Sequence, residues 1–303
     1  TPGKCADEFF YDLNVGFDKE TKLVSHMDFV DPQLMFNDSY TYHTSSSKTM
    51  IKHFKKTAKM IQNRFGPNRI LEIGSNDGTF LKNFGIAHGM GIEPCENFAQ
   101  STREMGFMTY GAFWNSSLST EIVGRHRRFY TIYSANCISH IPDITETLEA
   151  VYFALEDSGA FIWEDPSLME MIERNSYDQF YDEHAHVFSI TALSNLLQKA
   201  GMEIFSVDKT QLHGASNRIY AQKIGGPHPH DGTLEIELEK ENLAGLNKLK
   251  TYVDFAKRIR NSKTKLLELL QDIKDGGGKI VGYGATPKST SVFNYCCIDS
   301  NLV

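Results

Sequence analysis

The chain has 303 residues, 41% hydrophobic and 23% charged, with a formal net charge of −7. That length suggests about two domains, and the composition excludes collagen-like, mucin-like and wholly disordered chains. The acidic balance argues against a non-specific nucleic-acid binder, which needs a basic face, and no run of about 18 apolar residues is present to span a membrane.

The first residues, TPGKCADEFF, show no secretory h-region. The five cysteines, Cys5, Cys95, Cys137, Cys296 and Cys297, form no C-x-x-C pair. Neither a disulfide framework nor a zinc site built from these thiols alone is expected, and the reducing cytoplasm is the expected location.

Residues 1–48 are irregular and rich in Asp, aromatics and hydroxyls. LNVGF and KLVSHMDFV flank the polar turn Asp18–Thr21 and predict a hairpin. The tract YTYHTSSS then reads either as a solvated cap for the next helix or as a substrate-contacting loop carrying Tyr40, Tyr42 and His43. A helical period runs from Lys48 through Met50, Phe54, Ala58 and Ile61 to Gly66–Pro67. Strands are predicted at Ile70–Gly74, Gly89–Pro94, Phe129–Ala135 and Ala160–Glu164. Helices are predicted at Glu96–Met105, Ile144–Ala154 and Ser189–Ala200, followed by a strand pair, Met202–Gln211 and Asn217–Gln222. This alternation predicts an α/β, doubly wound, Rossmann-like domain with a parallel sheet over residues 49–224.

IGGPHPHDG, residues 224–232, is turn-rich and marks a boundary. A long helical pattern follows from Leu243 to Ile273, then a strand at Lys279–Gly282 and a helix at Pro287–Tyr295. Residues 225–303 therefore read as a helical linker and a partial second α/β unit. One strand and one helix cannot bury a sheet core, so this unit is expected either to be cut short or to dock on something else.

LEIGSNDGTFL carries the strongest local signal. A strand ends at Glu72–Ile73, the turn contains Gly74 and Gly78, and a helix begins near Thr79. Such a turn brings backbone N–H groups close to a ligand, and glycine is needed where Cβ has no room. The spacing E-x-G-x-N-x-G is close to the E-x-G-x-G-x-G loop that holds S-adenosylmethionine. About 20 residues on, the next strand ends in Glu93, placed to accept from ribose hydroxyls. NAD is the competing ligand, since its ribose is held by a similarly placed acid, but the third dinucleotide glycine is missing. Glu72, Gly74, Ser75, Asn76, Gly78, Glu93 and Asn136 are the candidate cofactor-binding residues. Asn136 and His140 follow a later strand, at the carboxyl edge where ligands bind in doubly wound folds. WEDPS, residues 163–167, ends the next strand at the same edge, before YDQFYDEHAHVFS, residues 177–189, which packs tyrosines, acids and histidines into one loop.

EIGSNDGTFLKNF, GIEP, ANCISHIPD, EDPS, YDQFYDEH, HGASNRIY and GYGATPKSTSVFNYC occur in that order over nearly the whole chain. Together they resemble the sugar-nucleotide C-methyltransferase family. The resemblance implies methylation by S-adenosylmethionine at C3 of a nucleotide-linked 4-keto-deoxysugar, with a second Rossmann-like unit at the C-terminus. Two features depart from it. The zinc-type pairs of C-x-x-C expected near the N-terminus are absent, with Asp18 and Thr21 where the second pair would stand, so no metal is expected. An HGGS-type stretch reads His213–Gly214–Ala215–Ser216.

By resemblance, His184 is the base that removes the C3 proton, and Tyr181 and His140 polarise the ketone or hold the sugar. Glu183 is expected to orient His184, since a carboxylate partner fixes the tautomer. Tyr42 or Tyr40 closes over the sugar. His213, Ser216 and Arg218 are candidate substrate contacts, and Lys288 follows a Gly-rich turn closely enough to meet a phosphate. The expected partner is a nucleotide sugar, with no nucleic acid or membrane, and the expected state is a monomer or homodimer. An O- or N-methyltransferase, a non-catalytic module binding nucleotide sugar or cofactor, and an NAD-dependent sugar-nucleotide enzyme are the alternatives.

Overall fold

The computed structural model describes residues 11–284 and 286–303, and every side chain among them except that of His213. Cys5 and the side chain of His213 therefore lie outside the described residues. The hairpin forms from β1 (Val15–Phe17) and β2 (Val24–His26), antiparallel around the Asp18–Thr21 turn. A four-residue helix, α1 (Pro32–Met35), is followed by α2 (Lys48–Phe65). Ser47 caps α2 by accepting the Met50 N–H at 3.3 Å, and Gly66, at φ +78°, ends it where L side chains are disfavoured. Met50, Phe54, Ala58, Ile61 and Phe65 form its buried stripe, each large side chain worth about 1.5–3 kcal/mol of burial.

The central sheet draws on β3 (Ile70–Ile73), β4 (Gly89–Ile92), β5 (Met108–Tyr110), β6 (Phe129–Ala135) and β7 (Leu155–Pro166). Between them lie α3 (Glu96–Glu104), α4 (Ser116–His126) and α5 (Ile144–Ala154). After β7 come α6 (Leu168–Arg174), β8 (His186–Val187), α7 (Ile190–Lys199), β9 (Met202–Thr210) and β10 (Ser216–Lys223). The sheet order is β5-β4-β3-β6-β7-β10-β9, parallel from β5 to β7, with β10 antiparallel to both of its neighbours. The chain runs outward from β3 in both directions. The crevice beyond the carboxyl ends of β3 and β6 is thus the topological switch point where such sheets bind ligands.

Apolar layers cover both faces. Phe54, Phe80, Tyr133, Phe205 and Tyr220 pack with α2 on one side. Ile132, Trp163, Leu193 and Ile219 pack with residues of α4, α5 and α7 on the other. β8 pairs antiparallel with β2, with Ser25 opposite His186, so the N-terminal hairpin and the loop after β7 share a small three-stranded sheet.

Four expectations need correction. The helix expected from near Thr79 is only a single 3-10 turn, Leu81–Asn83, in the short connection between Gly78 and Gly85. The long helix expected from Leu243 starts only at Leu249, as α9 (Leu249–Asp275), because Gly245 at φ +74° ends a separate, unexpected helix, α8 (Thr233–Ala244). Residues 279–282 form no strand, because no described strand runs beside them and Val281 is 87% exposed. The strand expected at Ala160–Glu164 begins five residues earlier, at Leu155. The last helix, α10 (Pro287–Cys296), is present and is capped by Thr286.

Candidate functional site

The loop after β3 is built around close approach. Gly74 adopts φ +78°, and a Cβ there would lie 2.5 Å from Cys137 Sγ. Asn76 and Gly78 also have positive φ, +45° and +70°. Glu93, at the end of β4, accepts the Asn76 N–H at 2.8 Å and the Cys95 N–H at 2.9 Å. Burial pushes its carboxyl above the ordinary value despite these bonds. Glu72 is fully enclosed, and burial with the neighbouring charges of Glu93 and Asp77 raises it further. Among the described residues, Glu72 Oε2, Ser75 Oγ and Asn136 Oδ1 are buried without hydrogen-bond partners.

Buried polar groups are normally paired, so orphaned acceptors around a glycine-lined crevice fit a ligand bearing amine and hydroxyl donors. Glu72, Glu93, Ser75 and Asn136 are the residues that could hold S-adenosylmethionine. The Asn76 side chain departs from expectation. Its Oδ1 accepts the Thr44 N–H at 3.0 Å, and its Nδ2 donates to the Tyr42 carbonyl at 2.9 Å, so its amide clasps the N-terminal segment.

The second half of the site follows β7. His184 is buried. Its Nδ1 lies 2.8 Å from the Gln179 carbonyl, which can only accept, so Nδ1 carries the proton. Tyr181 Oη lies 2.9 Å from Nε2, which in the neutral tautomer accepts its hydrogen bond. Burial and the charges of Glu183 and Asp182 push the Tyr181 phenol well above its ordinary value, which keeps it protonated. The His140 ring stacks on His184 at 5.3 Å, and Phe36 stacks on His140 at 5.4 Å, almost parallel. Glu183 accepts from Tyr40 Oη at 3.2 Å, and burial raises its carboxyl to about 7. The bond expected to orient His184 from Glu183 therefore comes from the Gln179 carbonyl. That partner was invisible beforehand, because any residue offers a carbonyl.

Asp165, at the end of β7, accepts from Trp163 Nε1 at 2.6 Å and from Ser139 Oγ at 2.7 Å, fixing the turn that carries His140. His186, two residues beyond His184, donates to the Pro142 carbonyl through Nε2 and accepts from Ser25 Oγ through Nδ1. Burial lowers it to about 4, so it is a neutral pin between the small sheet and the 138–142 turn.

Two proposed substrate contacts face inward instead. Arg218 is buried, with Nε 2.7 Å from Glu164 Oε1 and an NH2 group on Thr57 Oγ1 at 2.8 Å. It lies directly opposite Glu164 in the β7–β10 register, which puts the guanidinium under α2. Ser216 is also buried and donates to the Leu212 carbonyl at 3.2 Å. Between them Asn217, 2% exposed, has neither amide atom bonded among the described residues, a feature with no local sequence signal. Ala215 adopts φ +91°, a region that favours glycine.

A cavity of about 1540 Å³ opens beside Phe180 and Asp182. Its walls include Gly16, Lys19 and Lys22 of the hairpin, Tyr252 and Arg260 of α9, and Thr286 and Thr290 of α10. α10 packs on the 177–179 turn through Tyr177 and Tyr295, whose rings meet edge-on at 5.7 Å. Lys288, half-buried near Asp178, is held below its ordinary value by burial. No cluster of three or more His, Cys, Asp or Glu suited to a metal ion occurs among the described residues. No helix among them is long and apolar enough to cross a membrane.

Comparison with known proteins gives a consistent picture. A methyltransferase-domain family model matches residues 48–207, and a model of the C-methyltransferase C-terminal domain matches residues 211–303. C-methyltransferase NovU of Streptomyces niveus is 28% identical over 294 residues, spanning 95% of this chain and 70% of that protein. Among solved structures, the magnesium protoporphyrin IX methyltransferase of Synechocystis PCC 6803 covers 57% of this chain and 83% of its own, with 10% identity and a TM-score of 0.43. The CcbJ methyltransferase of Streptomyces caelestis covers 56% and 89%, with 9% identity and a TM-score of 0.45. With more than half of its residues under the first family model and most of the remainder under the second, the chain belongs to the S-adenosylmethionine-dependent C-methyltransferase family.

Proposed function

We propose that the chain methylates C3 of a nucleotide-linked 4-keto-deoxysugar through an enolate. The observation that carries this reading is the buried pair of His184 and Tyr181, an imidazole whose Nε2 faces a phenol held protonated. Forming a carbon–carbon bond needs a carbanion equivalent, and a C4 ketone leaves the C3 proton only weakly acidic. A base and a donor to the developing oxyanion are both required. In the resting site Tyr181 Oη occupies His184 Nε2. A ketone oxygen that takes the Tyr181 hydrogen bond frees Nε2 to accept the C3 proton, so one rearrangement readies both groups. His140, stacked on His184, lies beside the same carbonyl, and Tyr40 and Tyr42 close the sugar side. S-adenosylmethionine, when bound, supplies an electrophilic methyl on a positively charged sulfur.

The cavity beside Asp182 supports the nucleotide half of the reading. It is large enough for a nucleoside diphosphate, and Lys19, Lys22 and Arg260 lie in its walls, with Lys288 on the adjoining α10. We further propose a division into a substrate-contacting segment (1–48), a methyltransferase domain (49–224) and a C-terminal unit (225–303). The test is a panel of nucleotide 4-keto sugars with methyl-labelled S-adenosylmethionine, together with C3 proton exchange in deuterated water. Labelled product and exchange without net methylation support the reading. Methylation at oxygen or nitrogen without C3 exchange replaces it with the O- or N-methyl alternative.

A further inference from the structure

We propose that Asn76 is a positioning residue that couples cofactor binding to docking of residues 36–46 over the reaction site. The proposal rests on the family's cofactor, not on the sugar reading above.

Residues 36–46 form a strap between two halves of the site. At one end Asn76 holds both the Tyr42 carbonyl and the Thr44 N–H, and Asp77 accepts the Ser45 N–H at 2.8 Å. In the middle, Asp38 accepts the Asn97 N–H at 3.3 Å, and the His43 ring meets Phe98 edge-on at 4.7 Å. At the other end Tyr40 bonds Glu183, and Phe36 stacks on His140, which stacks on His184. The strap is thus anchored on the glycine loop, on α3 and on the His184 loop at once.

Apolar burial contributes little to this docking. Of residues 37–46 only Thr44 is buried. Segments held by hydrogen bonds with few buried contacts open at low free energy, so the two-point clasp of Asn76 carries disproportionate weight. That clasp in turn depends on the loop. Asn76 sits at φ +45°, an uncommon conformation for a residue with a Cβ, and its N–H is tied to Glu93. A ligand that engages Glu93 and the glycine loop stabilises the conformation that presents the Asn76 amide. By linkage, strap docking then raises cofactor affinity by the same factor.

The test uses S-adenosylhomocysteine as probe, hydrogen exchange over residues 36–46, and two variants that cut the clasp from opposite sides. Asn76→Ala removes the amide. Thr44→Pro removes the N–H that it holds while leaving the loop intact, and its place at the first position of a turn suits proline. In the unaltered protein the probe is expected to slow exchange across the strap. In both variants that protection is lost, the probe still binds, and its affinity falls by a similar factor of about 5. The double variant is no worse than either single one. Three outcomes overturn the proposal: no probe-induced protection in the unaltered protein, protection that survives in Asn76→Ala, or weakened binding in Asn76→Ala but not in Thr44→Pro. The last outcome makes Asn76 a direct cofactor contact.

Discussion

Two clusters near the end of β7 each combine a buried carboxyl, a tyrosine and a histidine, and they behave oppositely. Under α2, Glu164 accepts from Arg218, from Tyr133 Oη at 2.8 Å and from His53 Nε2 at 2.8 Å. Burial pushes Glu164 upward, but the His53 hydrogen bond and the Arg218 charge outweigh it and hold the carboxyl below its ordinary value. On the other side, Glu183 and Asp165 have no cation among their bonded partners, and burial raises each to about 7. His184 there lies against a phenol and a backbone carbonyl. A carboxylate with a full set of donors is locked in one charge state and serves architecture. Carboxyls raised to about 7 beside a buried imidazole can exchange protons at working pH, which is what general acid–base chemistry needs.

The sharpest way to break this contrast is to remove the imidazole. His184→Ala is expected to lower kcat by about 10²–10⁴, the usual cost of losing a general base, with S-adenosylhomocysteine affinity almost unchanged. C3 proton exchange should slow with it. Normal exchange with methylation lost would transfer the base role to another group and leave His184 as a sugar contact.

Removing the matched carboxylate should act on folding instead. Glu164→Ala takes from the buried Arg218 guanidinium its bonded carboxylate and leaves it only the more exposed Asp208 at 3.7 Å, a change that costs about 3–5 kcal/mol. Denaturant titration measures the loss, and probe affinity of the folded fraction should stay the same. A cost under about 1 kcal/mol would mean that the pair is solvated, and the proposed contrast would fail.

The difference between the clusters was only half legible in the sequence. Glu72, Gly74 and Glu93 stand out because a short apolar run followed by a glycine turn is a local pattern, and β3, β4 and β6 were read within two residues at each end. Arg218 was misread because its partner lies 54 positions away and is set by the antiparallel register of β7 with β10. The elements missed were short or weakly patterned. β5 has three residues, α6 is two turns long, and α4 carries a glycine and only two large buried apolar side chains, Leu118 and Ile122. The stack of Phe36 on His140 joins positions 104 residues apart across a segment without periodicity, so only the fold reveals it.

The contrast can be sharpened at the cofactor end through Glu93. Like Glu164 it is a buried carboxylate, but where Glu164 has three side-chain partners Glu93 accepts from two backbone N–H groups, and among the described residues no cation is bonded to it. It should therefore retain capacity for a ligand's hydroxyls. Glu93→Ala is expected to weaken S-adenosylhomocysteine binding by about 1.5–3 kcal/mol, the range for a hydrogen bond to a charged group. Calorimetry reads this directly. Unchanged affinity would remove Glu93 from the cofactor site and make it a loop brace.

The smallest expected effect concerns pH. Glu183 titrates at about 7 in the folded chain because burial, and then the charge of Asp182, disfavour its ionised form, against the opposing bond from Tyr40. Its ordinary value is 4.5. Between those values the folded chain retains a proton that the unfolded chain has released, so stability falls as pH rises through this window and levels off above it. Glutamine cannot titrate, yet its carbonyl can still accept from Tyr40. The stability of Glu183→Gln relative to the unaltered protein should therefore increase between pH 4.5 and 7, by an amount on the order of 1 kcal/mol after solvent screening of a surface loop. Asp165, raised to about 7 in both proteins, adds the same slope to each and cancels in the difference. Thermal unfolding at pH 5 and pH 8 measures it. An equal gap at the two pH values would mean that Glu183 ionises like an ordinary surface acid, and the Tyr40–Glu183 end of the site would then lose its place among the groups poised for proton exchange.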